Sequence, residues 1–311
     1  MGRLGTLLAT LFKILKYGKP SHIISFGAAL GDNLLLTVLV KALRDRGYDN
    51  IWIKSDHFFL FRCNPDVKYV MPYQTLLSTF ILKFFKVEMV GLKYTIYHEE
   101  TDADEVPDKH IVLKMADALG IRGEIRNKPV FYVDPAIRGT YFLAGQIVIV
   151  SSGAAAKIPM KNKEWVAGRH QEIVNRLSGR FHFIQLGAAD DPPLENVLDL
   201  RGKTTIAESA AILQNSMLFI GQVGLMMHLA SAVDCRSVII FGGRERPDQS
   251  GYAHFENLYN AVPCAPCWLR NTCDQQKKCM ELITVDDVEQ AILSQLKMSG
   301  EKLKEDWLFN V

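Results

Sequence analysis

Residues 22–35 read His22-Ile23-Ile24-Ser25-Phe26-Gly27-Ala28-Ala29-Leu30-Gly31-Asp32-Asn33-Leu34-Leu35. An apolar run, a glycine-bearing turn and an apolar stretch at helical spacing predict strand, loop and helix, the opening of a parallel α/β unit. The strand is expected over 22–26 and the helix from 33 to 46. Working outward, 51–53 and 94–97 predict strands and 110–119 a helix ending before Gly120. The pattern loosens over 129–145, around Pro135 and Gly139, which marks a linker. A second series then predicts strands at 146–150, 181–186, 197–200, 217–220 and 237–241, with helices at 163–177, 205–214, 226–233 and 284–297. These two βαβ-rich halves predict two Rossmann-like domains facing across a cleft, 21–138 and 139–296. An amphipathic helix is expected at 1–20 and a tail helix at 297–311.

At 311 residues the chain is about twice the usual length of one domain. Its 48% hydrophobic and 23% charged residues are the balance of an ordinary soluble globular protein, against a disordered, collagen-like or disulfide-scaffold chain. A net charge of +2 is too small for a nucleic-acid binder held by bulk electrostatics, so an anionic ligand needs a local site. No stretch reaches the ~20 apolar residues of a membrane-spanning helix. Near the start, Leu4, Leu7, Leu8, Leu11 and Leu15 recur at helical spacing among Arg3, Lys13, Lys16 and Lys19. The following Tyr17-Gly18-Lys19-Pro20 is not a small-residue cleavage site, so the reading is an uncleaved amphipathic helix. It either packs on the domain or rests on anionic lipid. A second apolar stretch, 76–92, is a core helix or part of an acceptor-facing surface.

Three loops carry chemistry. In the first, Gly27 and Gly31 let backbone approach a ligand, but their spacing is not the Gly-x-Gly-x-x-Gly of dinucleotide folds. Asp32 would also repel a pyrophosphate placed there, which counts against a nicotinamide oxidoreductase. Asp32 is then either a helix N-cap or a general base kept ionised by the helix dipole. In the second, Ser151-Ser152-Gly153 precedes Lys157, Lys161, Lys163 and Trp165, a diphosphate cradle or a solvated basic loop. The third, Phe219-Ile220-Gly221-Gln222-Val223-Gly224, leads into a helix carrying His228, a ligand contact or a satisfied structural histidine. Gly187 and Gly242 end two further strands in the same way. Glu99-Glu100-Thr101-Asp102-Ala103-Asp104-Glu105 contains Asp-x-Asp but reads as a solvated acidic loop.

Four of the six cysteines cluster as Cys264-x-x-Cys267, Cys273 and Cys279. Four thiolates at that spacing can close a tetrahedral metal site, with disulfides or free thiols as the alternatives. No secretion signal supports an oxidising compartment, so a structural metal and a cytoplasmic location are expected. Cys63 and Cys235 read as ordinary buried thiols.

Together these motifs resemble the ADP-heptose heptosyltransferases of glycosyltransferase family nine over residues 21–293. The resemblance rests on Leu30-Gly31-Asp32 with Leu34-Leu35, Asn64-Pro65, Lys163-x-Trp165, Asp199-Leu200-x-Gly202-Lys203-Thr204 and Phe219-Ile220-Gly221. It continues through His228-Leu229-Ala230-x-Ala232, Phe241-Gly242 and the Cys-x-x-Cys segment, which is similar to the iron site of autotransporter heptosyltransferases. It implies a GT-B fold, Asp32 as catalytic base, and Lys163 on the diphosphate of a nucleotide-sugar, with ADP-heptose as donor. The donor side would comprise Ser151, Ser152, Gly153, Lys163, Gly187, Gly221, Gly224, His228 and Gly242. Zinc or iron would sit at Cys264, Cys267, Cys273 and Cys279, with no catalytic metal.

The implied reaction is inverting transfer to a hydroxyl of lipopolysaccharide core, another surface glycan or a protein. A location on the cytoplasmic side, peripheral to the inner membrane, is implied as well. One departure stands out. The family carries Asp-Ser/Thr-Gly in the turn before the histidine, and here those positions are Val223-Gly224-Leu225. A non-catalytic or altered-specificity nucleotide-sugar-binding protein is therefore the alternative.

Overall fold

A computed structural model describes residues 3–72, 82–139, 141–152, 159–297 and 308–310. The chain divides into two compact units. The first comprises Met1–Tyr94, Val112–Tyr132 and Leu308–Val311, and the second Thr95–Ile111 and Val133–Trp307. The break thus falls after Tyr132, and the stretch 95–111, expected in the first half, groups with the second unit.

In the first unit, helix α1 (Arg3–Tyr17) leads into strand β1 (His22–Ser25), helix α2 (Leu30–Asp45) and strand β2 (Ile51–Lys54). Strands β3 (Tyr69–Met71) and β4 (Met89–Gly91) complete a sheet of order β3-β2-β1-β4 whose pairs are all parallel. A parallel sheet is covered on both faces; accordingly Ile51, Trp52 and Ile53 are all buried, as are residues 33–40 of α2. The strand expected at 94–97 is not part of this sheet. Its place is taken by β4, while Tyr97–His98 (β5) pairs antiparallel with Ala103–Asp104 (β6) as a small hairpin of the second unit. Residues 73–81, in the apolar stretch with two readings, lie outside the described residues. The tail at 308–310 is strand and not helix: Leu308–Asn310 pairs antiparallel with Glu124–Arg126 (β7).

The second unit carries six parallel strands: β8 (Gln146–Ile149), β9 (His182–Gln185), β10 (Leu198–Asp199), β11 (Leu218–Gln222), β12 (Ser237–Gly242) and β13 (Glu256–Tyr259). Their order, β10-β9-β8-β11-β12-β13, is the 3-2-1-4-5-6 sequence of a doubly wound sheet. Strands β11 and β12 are buried at every residue. Ile147, Ile149, Ile220 and Ile240 pack in one cluster with Val288 and Ile292 of the helix Val285–Lys297. The helix expected over 163–177 is shorter than its pattern. Lys161–Lys163 is a single 3-10 turn, and the helix begins at Arg169, after Gly168 takes φ 83°. The helix Ile206–Gln214 starts where Thr205 and Glu208 form a reciprocal capping box.

Candidate active site

In an open parallel sheet the ligand crevice lies beyond the carboxyl ends of the strands, where strand order reverses. In the first unit that point falls between β1 and β4. The chain leaving β1 carries Asp32, and the chain leaving β4 carries Tyr94. The Tyr94 phenol donates to Asp32 Oδ1 at 3.1 Å, and its ring stacks on Phe26 at 5.6 Å. Asp32 is not the helix cap: Ala29 holds that position, and Asp32 lies within the first turn of α2, where the helix dipole favours its charge. Asn33 ties the loop down by donating to the carbonyls of Gly27 and Ala29, both at 2.8 Å, and accepts from Ser55 at 2.8 Å. His57 Nε2 lies 2.9 Å from the Ala28 carbonyl. The loop is thus held by residues just beyond β2, leaving the Asp32 carboxylate half-buried at the sheet's carboxyl edge.

In the second unit the reversal falls between β8 and β11. Ser151 follows β8, but its hydroxyl is committed internally, donating to the Pro192 carbonyl at 2.7 Å and accepting from Gln185 at 2.9 Å. Ser152 is buried beside it, and Gly153 lies outside the described residues. Gly187, Gly221 and Gly242 answer to packing: a Cβ would overlap the Asp191 carboxylate, the Phe219 ring and Met280 respectively. Gly224 differs, because nothing lies within 4 Å of a Cβ there. It is the N-cap of the helix Leu225–Ala232, whose first-turn N–H groups have no intrahelical partner. His228 is buried on that helix, with Nδ1 2.7 Å from the Tyr252 hydroxyl, and burial holds its pKa down to about 3. It is a neutral, pinned ring at physiological pH.

Lys163 has a partner that sequence reasoning missed. Its ammonium lies 2.7 Å from Glu245 Oε1, and Arg244 donates to the same oxygen at 2.8 Å. Glu245 follows the carboxyl end of β12 and is 3% exposed. Burial alone would raise its pKa, but Lys163 and Arg244 more than reverse that and bring it to about 2. A charged pair directly behind a wholly buried strand was the available signal.

The acidic stretch is not a solvated loop throughout. Asp104 is buried and ion-paired with Arg244 and with Arg270, the latter at 2.6 Å. Asp102 accepts from the backbone N–H groups of Asn271 and Thr272, both at 2.7 Å. Both carboxylates therefore fasten the cysteine-bearing segment, and neither is free to bind a metal–nucleotide complex.

The four cysteines converge. Cys264, Cys267, Cys273 and Cys279 line one small cavity of about 20 Å³ with Gly243, Arg244 and Asn162. All six cysteines are free thiols, and Cys63 is exposed, contrary to expectation. The Lys277 N–H donates to Cys273 Sγ at 3.2 Å, Leu269 N–H bonds Cys267, and the N–H groups of Met280 and Gly243 bond Cys279. Such donors suit thiolates. Among the described residues, however, no group of three or more His, Cys, Asp or Glu side chains is drawn in to coordinating distance. Burial pushes the Cys267 and Cys279 thiols up, a cost that a cation would reverse.

Two α/β units, each on a parallel sheet whose strand order reverses, are the fold class of the GT-B heptosyltransferases. No protein-family profile and no curated protein matches the chain. Solved structures do. TibC of enterotoxigenic E. coli H10407, described as an iron-containing dodecameric glycosyltransferase, is 16% identical over 91% of this chain and 81% of its own, at TM-score 0.70. A second TibC structure is described as a complex with ADP-D-β-D-heptose. A family 9 glycosyltransferase of Veillonella parvula DSM 2008 is 14% identical, covering 89% and 97%, at TM-score 0.67. The ADP-heptose lipopolysaccharide heptosyltransferase II of E. coli is 13% identical, covering 90% and 99%, at TM-score 0.65.

Proposed function

We propose that the chain is an inverting glycosyltransferase that moves heptose from ADP-heptose to a hydroxyl of a bacterial surface glycolipid. The observation that carries this reading is Asp32, presented at the carboxyl edge of its sheet with a phenol hydrogen-bonded to it. Asp32 accepts the proton of the acceptor hydroxyl as that oxygen bonds to the anomeric carbon. The bond from that carbon to the diphosphate breaks on the opposite face, and the nucleotide diphosphate leaves with the electron pair. Lys163, steadied by Glu245, and the backbone N–H groups after Gly224 stabilise the growing negative charge, so no catalytic metal is needed. The neighbours TibC, described in complex with ADP-heptose, and the ADP-heptose heptosyltransferase II support the donor. The acceptor class rests on the lipopolysaccharide enzyme among them.

The four cysteines would hold a structural zinc or iron. Their shared cavity and N–H donors support this, as does the iron of TibC. The metal would brace the segment and supply no chemistry to the reaction. Among the described residues no helix is long and apolar enough to cross a membrane. The basic amphipathic α1 and the lipopolysaccharide enzyme among the neighbours support a location on the cytoplasmic face of the inner membrane.

The test is release of ADP from ADP-heptose in the presence of a lipopolysaccharide-core acceptor. Asp32→Asn should lower turnover by at least about a hundredfold while leaving ADP affinity within about twofold. Equal turnover by wild type and variant refutes the mechanism. The Val223-Gly224-Leu225 turn favours a second reading, an altered-specificity or non-catalytic nucleotide-sugar binder. Tighter binding of UDP or GDP than ADP by calorimetry would establish altered specificity.

A further inference from the structure

Helix α1 has two faces that differ only in what covers them. Thr10, Ile14 and Tyr17 share one spacing, and Leu8, Phe12 and Leu15 repeat it two residues earlier, about 200° around the helix. The first face packs. Thr10 and Ile14 are 1% and 5% exposed, and Ile14 joins the apolar cluster of Ile23, Trp52 and Met71. The second does not: Leu8, Phe12 and Leu15 are 57%, 59% and 74% exposed. Single exposed apolar side chains are commonplace, but three in one stripe on a 15-residue helix are not.

The charge on α1 has one sign. No Asp or Glu precedes Asp32, while Lys16 and Lys19 are exposed at the end of α1. Apolar side chains bordered by lysines fit the boundary between acyl chains and anionic headgroups. They fit a second copy of the chain less well, because the lysines would then face one another. We infer that α1 docks the protein on an anionic lipid surface, inserting Leu8, Phe12 and Leu15 while Lys16 and Lys19 meet headgroups. This docking does not depend on the transferase reading; only the step from it to a membrane-borne acceptor does.

The test is co-sedimentation of the full chain with phosphatidylcholine vesicles, with and without phosphatidylglycerol. Binding is expected only with phosphatidylglycerol, weakening as salt rises. Leu8→Gln, Phe12→Gln and Leu15→Gln together should weaken it at least about tenfold with the melting temperature held. Lys16→Gln with Lys19→Gln should weaken it by about fivefold for each lysine. No binding to phosphatidylglycerol vesicles overturns the inference, as does equal binding by the triple variant. A wild-type oligomer that the triple variant dissolves, without vesicle binding, also overturns it and places a second copy on the face. The readout needs no donor or acceptor, so its failure leaves the proposed reaction untouched.

Discussion

Replacing Glu245 by glutamine keeps the shape of the side chain and removes its charge from between Lys163 and Arg244. Arg244 retains a partner in buried Asp104, whereas Lys163 loses the one ion pair it makes among the described residues. Breaking a buried pair costs about 3–5 kcal/mol. Two features lower that figure here: the Lys163 side chain is 19% exposed and reaches water, and a glutamine oxygen still accepts one of its protons. The expected loss is therefore about 2–3 kcal/mol. It is read from urea unfolding as a lower midpoint at unchanged slope. The pH dependence carries a definite sign. The folded pKa of Glu245 lies at about 2, below its ordinary 4.5, so its contribution is complete above pH 4.5 and fades as pH falls through about 2. The gap between wild type and Glu245→Gln should hold from pH 7 to 5 and narrow towards pH 3. Calorimetry at pH 7 should show ADP binding weakened roughly tenfold, because Lys163 is no longer held in place. A loss below about 0.5 kcal/mol, or a gap as wide at pH 3 as at pH 7, would refute the pairing as described.

Tyr94→Phe removes the phenol that donates to Asp32 and should lower turnover roughly tenfold, with ADP affinity unchanged by calorimetry. Asp104→Asn takes one charged partner from buried Arg244, which keeps Glu245, and from part-exposed Arg270, and should cost about 2–3 kcal/mol in chemical denaturation. Gly242→Ala puts a methyl group against Met280 at a residue with φ 65°; about 2–4 kcal/mol should be lost, seen as a lower melting temperature.

The alternation of apolar strands and amphipathic helices was legible over most of the described chain, because parallel strands buried on both faces are written as apolar runs. What escaped were features decided at long range. Tyr94-Thr95-Ile96-Tyr97 has strand composition, yet the sheet takes the less conspicuous Met89–Gly91, and the chain beyond Tyr94 joins the second unit. Asp104 looked solvated among acidic neighbours, since the arginines that bury it lie 140 and 166 residues away. Lys163 was readable as a site residue, but Glu245 was not, because their pairing depends on two loops meeting above different strands. Ser151 illustrates the reverse: its residue type suited a phosphate, and its hydroxyl is spent on Pro192 and Gln185. The helix overextended to residue 163 had the right periodicity and lacked only knowledge of the left-handed turn at Gly168.

Both members of the Lys163–Glu245 pair rest on the segment that carries the cysteines. Asn162, beside Lys163, donates from its side chain to the carbonyls of Leu269 and Thr272, and from its backbone to that of Arg270. On the other side, the N–H groups of Cys267 and Trp268 bond the carbonyls of Gly243 and Arg244, the residues leading into Glu245. Residues 267–272 thus underpin the lysine and the carboxylate together, while Asp102 and Asp104 clamp the same segment from a third direction. Loosening the segment should therefore act on donor binding through Lys163, although no cysteine need touch the nucleotide. A double-mutant cycle isolates that route. Cys267→Ser alone should weaken ADP binding by about tenfold, and Lys163→Met alone by more. The pair should be only slightly worse than Lys163→Met, because the lysine through which the loop acts is already gone. Full additivity of the two losses would mean that the cysteine segment and the lysine act separately, and that the shared hydrogen bonds hold the fold without steering the ligand.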